Sequence, residues 1–135
     1  MQELLTRKQI RLKNYDYSLN GYYFITVCSN NRKNIFGKYK NDVGVPLVCA
    51  RNNIELSIIG KIIDTQWNNI KNQYVGIELD EYIIMPNHIH GIIVINNRAQ
   101  TSSAPTISQI IRSFKSKSAL TYLNYLKRNN IKIPI

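Results

Sequence analysis

The chain has 135 residues, of which 44% are hydrophobic, and a formal net charge of +10. This length fits one domain whose core needs no disulfide or metal to hold it, and the hydrophobic content excludes a disordered chain. No apolar run is long enough to cross a membrane, and the N-terminus lacks the apolar core of a signal peptide. We therefore expect a single cytoplasmic domain over residues 1–135.

The basic residues are unevenly distributed along the chain. Residues 82–135 contain seven Lys or Arg and no Asp or Glu, and residues 1–40 contain eight basic residues against two acidic ones. A domain this basic generally binds a polyanion. A solvated basic surface is the simpler alternative, and a membrane surface is disfavoured because no basic amphipathic helix carries an exposed aromatic face. Nucleic acid is the partner that the charge favours.

The two cysteines predict no site by themselves. Cys28 and Cys49 are far apart in sequence and show no CxxC spacing. In a reducing compartment, both are expected to be small buried residues.

The first predicted element is a strand over Tyr22–Cys28, a run of aromatic and β-branched residues that follows turn residues at 17–21. Residues 29–34 are predicted to form a polar loop. Beyond it the pattern is ambiguous, with a short strand or hairpin over Val43–Cys49 in which the proline suits an edge.

Two amphipathic helices are predicted from apolar residues that recur at three and four. The first spans 53–71, with Asn52 and Glu55 resembling a capping box. The second begins near Thr106 and is broken at 129–130. Their apolar stripes consist of Ile54, Ile58, Ile59, Ile62, Ile63, Trp67 and Ile70 in the first, and Ile107, Ile110, Ile111, Phe114, Ala119, Tyr122 and Leu126 in the second.

Between the helices, strands are predicted over Tyr74–Leu79, Tyr82–Met85 and His88–Ile95, with a bend at Pro86-Asn87. The order β-α-β-β-α predicts an α+β fold. It is typical of a ferredoxin-like or RRM-like antiparallel sheet with two helices packed on one face.

The last of these strands contains the only two histidines of the chain, His88 and His90. Residues two apart on a strand lie about 6–7 Å apart on one face, so Ile89 should point into the core. Two imidazoles at this spacing can reach one metal ion, although a strand with two polar residues on its solvent face gives the same pattern. Zinc normally takes three or four protein ligands and no thiol is near in sequence, so Mg²⁺ or Mn²⁺ with phosphate and water is favoured.

The stretch YIIMPNHIHGIIVI resembles the histidine–hydrophobic–histidine strand of single-tyrosine HUH transposases, and more narrowly the REP-associated tyrosine transposases. Together the similar segments cover most of residues 11–119. The other similar segments are RLKNYDYSLNGYYFITVCSNNRKNIFG, GKIIDTQWNNI and ISQIIRSFKSKSA.

The resemblance implies a chemistry. Such enzymes cut single-stranded DNA near a hairpin when a tyrosine attacks the phosphorus, leaving a 5′-phosphotyrosine and a free 3′-OH. It also implies that His88 and His90, with a third polar ligand, hold Mg²⁺ or Mn²⁺ on the scissile phosphate. The implied partner is single-stranded or hairpin DNA, and the protein is expected to be a monomer or a homodimer.

The nucleophile is where the sequence departs from that family. In the family, the tyrosine lies on a further helix, at an interval from His90 that passes Ile135. We therefore expect a domain that is incomplete at its C-terminus and lacks the third metal ligand. Tyr125, one turn from a core Tyr122 on the last helix, is the remaining candidate nucleophile. Tyr82 should pack, and either Tyr22 or its neighbour should be exposed, free to stack on a base.

Five basic residues are expected to contact DNA. A catalytically inactive remnant that grips DNA hairpins through them without cleaving is the first alternative. An RNA-binding sheet is the second, but its RNP pattern of exposed aromatics on central strands is absent. The five residues are Arg32, Lys33, Arg112, Lys115 and Lys117.

Overall fold

The computed structural model describes residues 11–40, 54–96 and 105–132. Within these ranges the chain forms five strands and two α-helices. In chain order they are β1 (Gly21–Cys28), β2 (Gly37–Tyr39), β3 (Ile54–Leu56), α1 (Ile58–Gln73), β4 (Ile77–Met85), β5 (His88–Ile95) and α2 (Ile107–Arg128).

Three strands form the main sheet, in the order β1-β5-β4 with antiparallel pairing throughout, while β2 and β3 pair separately. The central strand β5 alternates strictly between half-buried and buried residues. Its buried residues share one face of the sheet with the core, and both helices cover that face. The opposite face of the sheet, here called the open face, carries His88 and His90. The α+β prediction with two helices on one face is confirmed.

The core lies between the sheet and the helices and is centred on Trp67 of α1, which is 0% exposed. The Trp67 ring meets Phe114 of α2 edge-on, with ring centres 5.5 Å apart, and it also contacts Tyr82 of β4. The Tyr82 hydroxyl donates to Asp64 Oδ1 at 2.6 Å, so Tyr82 packs as the sequence predicted. The other core residues of the helices and sheet are mostly isoleucines, namely Ile63, Ile70, Ile77, Ile84, Ile89, Ile93, Ile95, Ile107 and Ile110.

The first helix begins later than the sequence predicted. Residues 54–56 form β3 and pair with β2, and the helix starts after Ser57, whose Oγ accepts from the Gly60 N–H at 3.1 Å. The predicted start with Glu55 in a capping box is therefore wrong. An apolar residue at 54 fits the period of a strand as well as that of a helix, and pairing with β2 decides between them. Asn52 and the predicted strand at 43–49 lie outside the described residues.

The second helix has the predicted start and end. Thr106 and Gln109 form a reciprocal capping box at its N-terminus, and Asn129 ends it with its N–H bonded to the Tyr125 carbonyl. Ala119 is exposed and does not continue the apolar stripe. Neither α1 nor α2, the helices of the described ranges, is long and apolar enough to span a membrane.

The two strands predicted before the histidines are one strand. β4 runs from Ile77 to Met85 and is interrupted only by a bulge between Leu79 and Tyr82. The extra residues at the bulge explain why the sequence pattern breaks there.

Tyr23 of β1 provides a prediction on alkaline stability. Its side chain is 9% exposed, its hydroxyl donates to the Leu19 carbonyl at 2.6 Å, and burial raises its pKa. The folded state therefore disfavours the tyrosinate, and stability should fall as pH rises above about 10, the pKa of an unfolded tyrosine. Urea unfolding at pH 7 should give Tyr23→Phe a free energy of unfolding about 1 kcal/mol below that of wild type. Between pH 7 and pH 11, the free energy of unfolding of Tyr23→Phe should fall by less than that of wild type. Tyr22→Phe, at an exposed position, is the control, and an unchanged alkaline loss in Tyr23→Phe would contradict the prediction.

Candidate metal centre

The histidine strand β5 follows a tight turn that is hydrogen-bonded to the segment after β1. Pro86 and Asn87 connect β4 to β5, and their carbonyls accept from the N–H groups of Phe36 at 2.9 Å and Ser29 at 2.9 Å. The segment that follows β1 is thereby fixed against the turn. Its single 3₁₀ turn, Asn30–Arg32, is thus placed beside the first histidine.

His88 and His90 lie next to each other on the open face of the sheet. Their ring centres are 4.4 Å apart, and Ile89 between them is in the core, as the alternation of the strand predicted. Metal–nitrogen bonds are about 2.1 Å long. Rings this close can therefore direct one nitrogen each to a single ion.

Asn87 fixes the tautomer of His88. Its Nδ2 donates to the Arg32 carbonyl at 3.3 Å, so its Oδ1 faces His88 Nδ1 at 2.6 Å. An amide oxygen only accepts, so His88 Nδ1 carries the proton and Nε2 keeps its lone pair. This is the arrangement in which metal-binding histidines are usually held.

His90 is held from β1. Its Nδ1 lies 2.9 Å from Thr26 Oγ1, and its ring stacks on Phe24 with centres 5.3 Å apart. The threonine hydroxyl can take either role in the hydrogen bond, and it accepts in the tautomer that leaves His90 Nε2 free for a metal.

The surroundings of His88 favour its neutral form. Burial lowers its pKa, and the neighbouring His90 and the Arg32 guanidinium lower it further. Neutral imidazole is the ligating form, so these groups keep His88 ready to bind a cation at neutral pH.

Cys28 corrects a prediction made from the sequence. It is exposed rather than buried, because it lies on the open face at the end of an edge strand, where it pairs with His88 across the ladder.

Among residues 11–40, 54–96 and 105–132, no three His, Cys, Asp or Glu side chains converge as metal ligands. The described donor set is therefore two imidazoles with open positions. That set fits Mg²⁺ or Mn²⁺ completed by phosphate and water better than a closed zinc site. Cys49 lies outside the described residues.

The predicted DNA-contacting residues divide into two groups. Arg32 and Lys33 are exposed in the loop beside the histidine pair. Three others are exposed on α2, which belongs to the helical layer on the covered side of the sheet. That second group is Arg112, Lys115 and Lys117.

The candidate nucleophile is not brought to the histidines. Tyr125 is half-buried on α2 and stacks on Tyr122, with ring centres 6.5 Å apart. Of the tyrosines in the main sheet, Tyr22 alone lies on the open face, four residues along β1 from Thr26. That separation is about 13 Å.

Three residues that support the pair were not predicted. Asn87 adjoins His88 in sequence, so a turn asparagine before a histidine strand was a usable signal. Thr26 and Phe24 are more than 60 positions away and reach His90 only through the register of β1 with β5.

The fold and site together define an antiparallel α+β domain that presents a histidine pair on its uncovered sheet face. The chain is 32% identical over 126 residues to an uncharacterized protein from Haemophilus influenzae. The alignment covers 82% of this chain and 64% of the relative, so the chain spans less than two thirds of that protein's length. No family model matches the chain, and no solved structure matches it either.

Proposed function

We propose that this protein is a metal-dependent, single-stranded DNA endonuclease and strand transferase of the REP-associated tyrosine transposase class. It would act in DNA transposition, near DNA hairpins, through a 5′-phosphotyrosine intermediate. The observation that carries the proposal is the histidine pair, whose rings are 4.4 Å apart and whose Nδ1 atoms are both engaged by neighbouring oxygens.

His88 and His90 are the residues that would hold Mg²⁺ or Mn²⁺, and the cation would neutralise charge that develops on a phosphoryl oxygen. Other side chains of the protein would orient the two imidazoles and attract the DNA. Asn87 and Thr26 orient the two rings, and Arg32 places a fixed positive charge beside them for the DNA backbone. The net charge of +10 favours the approach of a polyanion.

A second candidate function is hairpin binding without cleavage. The position of Tyr125 favours it, because α2 lies on the face of the sheet away from the histidines, and the structure therefore gives no reason to use this tyrosine as a nucleophile. Both candidates require the histidines and the basic loop. They differ in whether a covalent adduct forms.

A single experiment distinguishes the two candidates. Purified protein is incubated with a labelled single-stranded DNA hairpin and either Mn²⁺ or EDTA, then analysed under native and denaturing conditions. A Mn²⁺-dependent band that survives denaturation, persists in Tyr125→Phe and is lost in His88→Ala supports strand transfer. Mn²⁺-dependent binding without that band supports the second candidate. Metal-independent binding that neither His88→Ala nor His90→Ala weakens would contradict both.

Arg32 is the position at which stability and DNA binding should respond differently. Its φ is 52°, in the left-handed region, which costs most residues about 1–2 kcal/mol but suits asparagine. We expect Arg32→Asn to keep or raise the free energy of unfolding by up to about 1 kcal/mol. The same change should weaken binding to single-stranded DNA and reduce its salt slope by about 0.7 for one lost phosphate contact.

Urea unfolding and fluorescence anisotropy between 50 and 200 mM salt, roughly the range over which such contacts are resolved, would measure both effects. Lys33→Asn is the matched control, because Lys33 is equally exposed but has an extended backbone with φ −69°. It should lose binding without gaining stability. A fall in stability for Arg32→Asn would contradict the strain argument.

A further inference from the structure

The open face of β1 carries two large aromatic side chains in solvent. Tyr22 is 74% exposed and Phe24 is 68% exposed. They alternate with Tyr23, which points into the core, so both rings stand on the same face, about 6.6 Å apart along the strand. Neighbouring exposed aromatics on a sheet are unusual in a domain that has a core to receive them, and such surfaces often bind a partner.

These rings adjoin the histidine pair. Phe24 stacks on His90 with a centre-to-centre distance of 5.3 Å and an interplanar angle of 27°. Tyr22 is two residues further along β1, opposite Val94. Arg32 lies at the other end, where its charge acts on His88. The open face therefore presents, in order, the guanidinium of Arg32, the two imidazoles and the two aromatic rings.

A cleft beside Phe24 shows which part of a ligand this end would take. It has a volume of about 220 Å³, and its lining includes Phe24, Ile83, Ile92, His90 and Glu81. The apolar side chains of this lining suit a flat ring. A phosphate is favoured at the opposite end, beside Arg32.

We propose that Tyr22 and Phe24 form a base-stacking subsite for the nucleotides next to the phosphate held at His88 and His90. The inference rests on the proposed function, because it takes single-stranded DNA as the ligand of the histidine site. Every base has a face that can stack on an aromatic ring, so the subsite would act without reading the base sequence.

The spacing of the rings selects for single strands. Stacked bases in a duplex rise by about 3.4 Å per step, and the two rings are about twice that distance apart along β1. Consecutive bases that each stack on one ring must therefore be separated from each other. A duplex cannot supply bases in that state, whereas an extended single strand can.

The test measures the affinity of fluorescein-labelled (dT)₁₅ in the presence of Mn²⁺. Tyr22→Ala and Phe24→Ala should each weaken binding by about 5- to 150-fold, the loss typical of one stacked base, whereas Tyr22→Phe should bind like wild type. Tyr39→Ala is the matched control, because Tyr39 is an exposed tyrosine, at 52%, on the separate β2–β3 pair. Its affinity should not change.

A second readout separates stacking from damage to the histidine site. Tyr22→Ala should leave Mn²⁺ affinity unchanged, since no contact joins this ring to the imidazoles in the described structure. When one thymine of (dT)₁₅ is replaced by 2-aminopurine, the fluorescence of that base should fall on binding to wild type but not on binding to the Tyr22→Ala/Phe24→Ala double variant.

Several results would overturn the inference. If the double variant binds (dT)₁₅ like wild type while His88→Ala loses binding, the stacking subsite is wrong and the proposed function stands. If wild type binds no single strand, both are wrong. If (rU)₁₅ binds more tightly than (dT)₁₅, DNA is the wrong occupant. If the double variant instead converts a dimer to a monomer in sedimentation velocity with unchanged DNA affinity, the face is a self-association surface.

Discussion

Replacing Gly91 by alanine is expected to destabilise the fold by about 3 kcal/mol, at the upper end of overpacking effects. Gly91 lies in β5 between His90 and Ile92, and its Cα faces the indole of Trp67. A methyl group there would overlap three atoms of the Trp67 ring. They are Cζ2, Cη2 at 2.8 Å from the added carbon and Cε2 at 2.9 Å from it. Trp67 is fully buried between the sheet and α2, so the indole has no space into which it can withdraw.

Urea unfolding of a double-mutant cycle would test this contact. Trp67→Phe removes the part of the ring that overlaps the new methyl group, but leaves a cavity of its own. The double variant Gly91→Ala/Trp67→Phe should therefore be more stable than the sum of the two single effects predicts, by more than about 1 kcal/mol. Additive effects would mean that Gly91 is required for a reason other than its contact with Trp67.

The parts of the fold that the sequence predicted are those set by local periodicity. The alternation along His88–Ile95 predicted a strand that buries Ile89 and exposes both histidines, and the structure has that arrangement. The recurrence of apolar residues at three and four predicted a helix that begins near Thr106, and α2 begins there, with Thr106 and Gln109 forming its capping box. Each of these signals lies within a single element, so no knowledge of its neighbours is needed.

The parts that the sequence did not predict depend on pairing between distant segments. Cys28 was expected to be buried, but the register of β1 with β5 places it opposite His88 on the uncovered face. The same register brings Thr26 to His90 across 64 positions. The helix start was misplaced because Ile54 is recruited into a strand by β2. A single sequence gives no signal for such a register, so Thr26 and Phe24, which support His90, emerge only in the structure.

Removing either histidine is expected to weaken Mn²⁺ binding by about 100-fold or more, because each supplies half of the described donor set. Residues that only orient a metal-binding histidine typically contribute about 10–100-fold to metal affinity, and a ligand itself should contribute more. Isothermal titration of Mn²⁺ into wild type, His88→Ala and His90→Ala would measure the loss. Equal Mn²⁺ affinity in all three proteins would place the binding site elsewhere.

Substitutions of the residues that orient the histidines are a more specific test. They should lower Mn²⁺ affinity if the histidines form an organised metal site, but not if the two imidazoles are merely adjacent. Thr26→Val keeps the shape of the side chain but removes the oxygen that lies 2.9 Å from His90 Nδ1, and it should cost about 10-fold in Mn²⁺ affinity. Thr65→Val is the control, since within the described part of the chain the Thr65 hydroxyl bonds only the Lys61 carbonyl on α1. Asn87→Leu should also lower Mn²⁺ affinity by about 10-fold. Asn87→Asp should bind Mn²⁺ at least as tightly as wild type, because a carboxylate accepts the hydrogen bond from His88 Nδ1 more strongly than an amide does. If Asn87→Leu and Asn87→Asp behave alike, the hydrogen bond at His88 does not tune the site and the pair is only a polar patch on the strand.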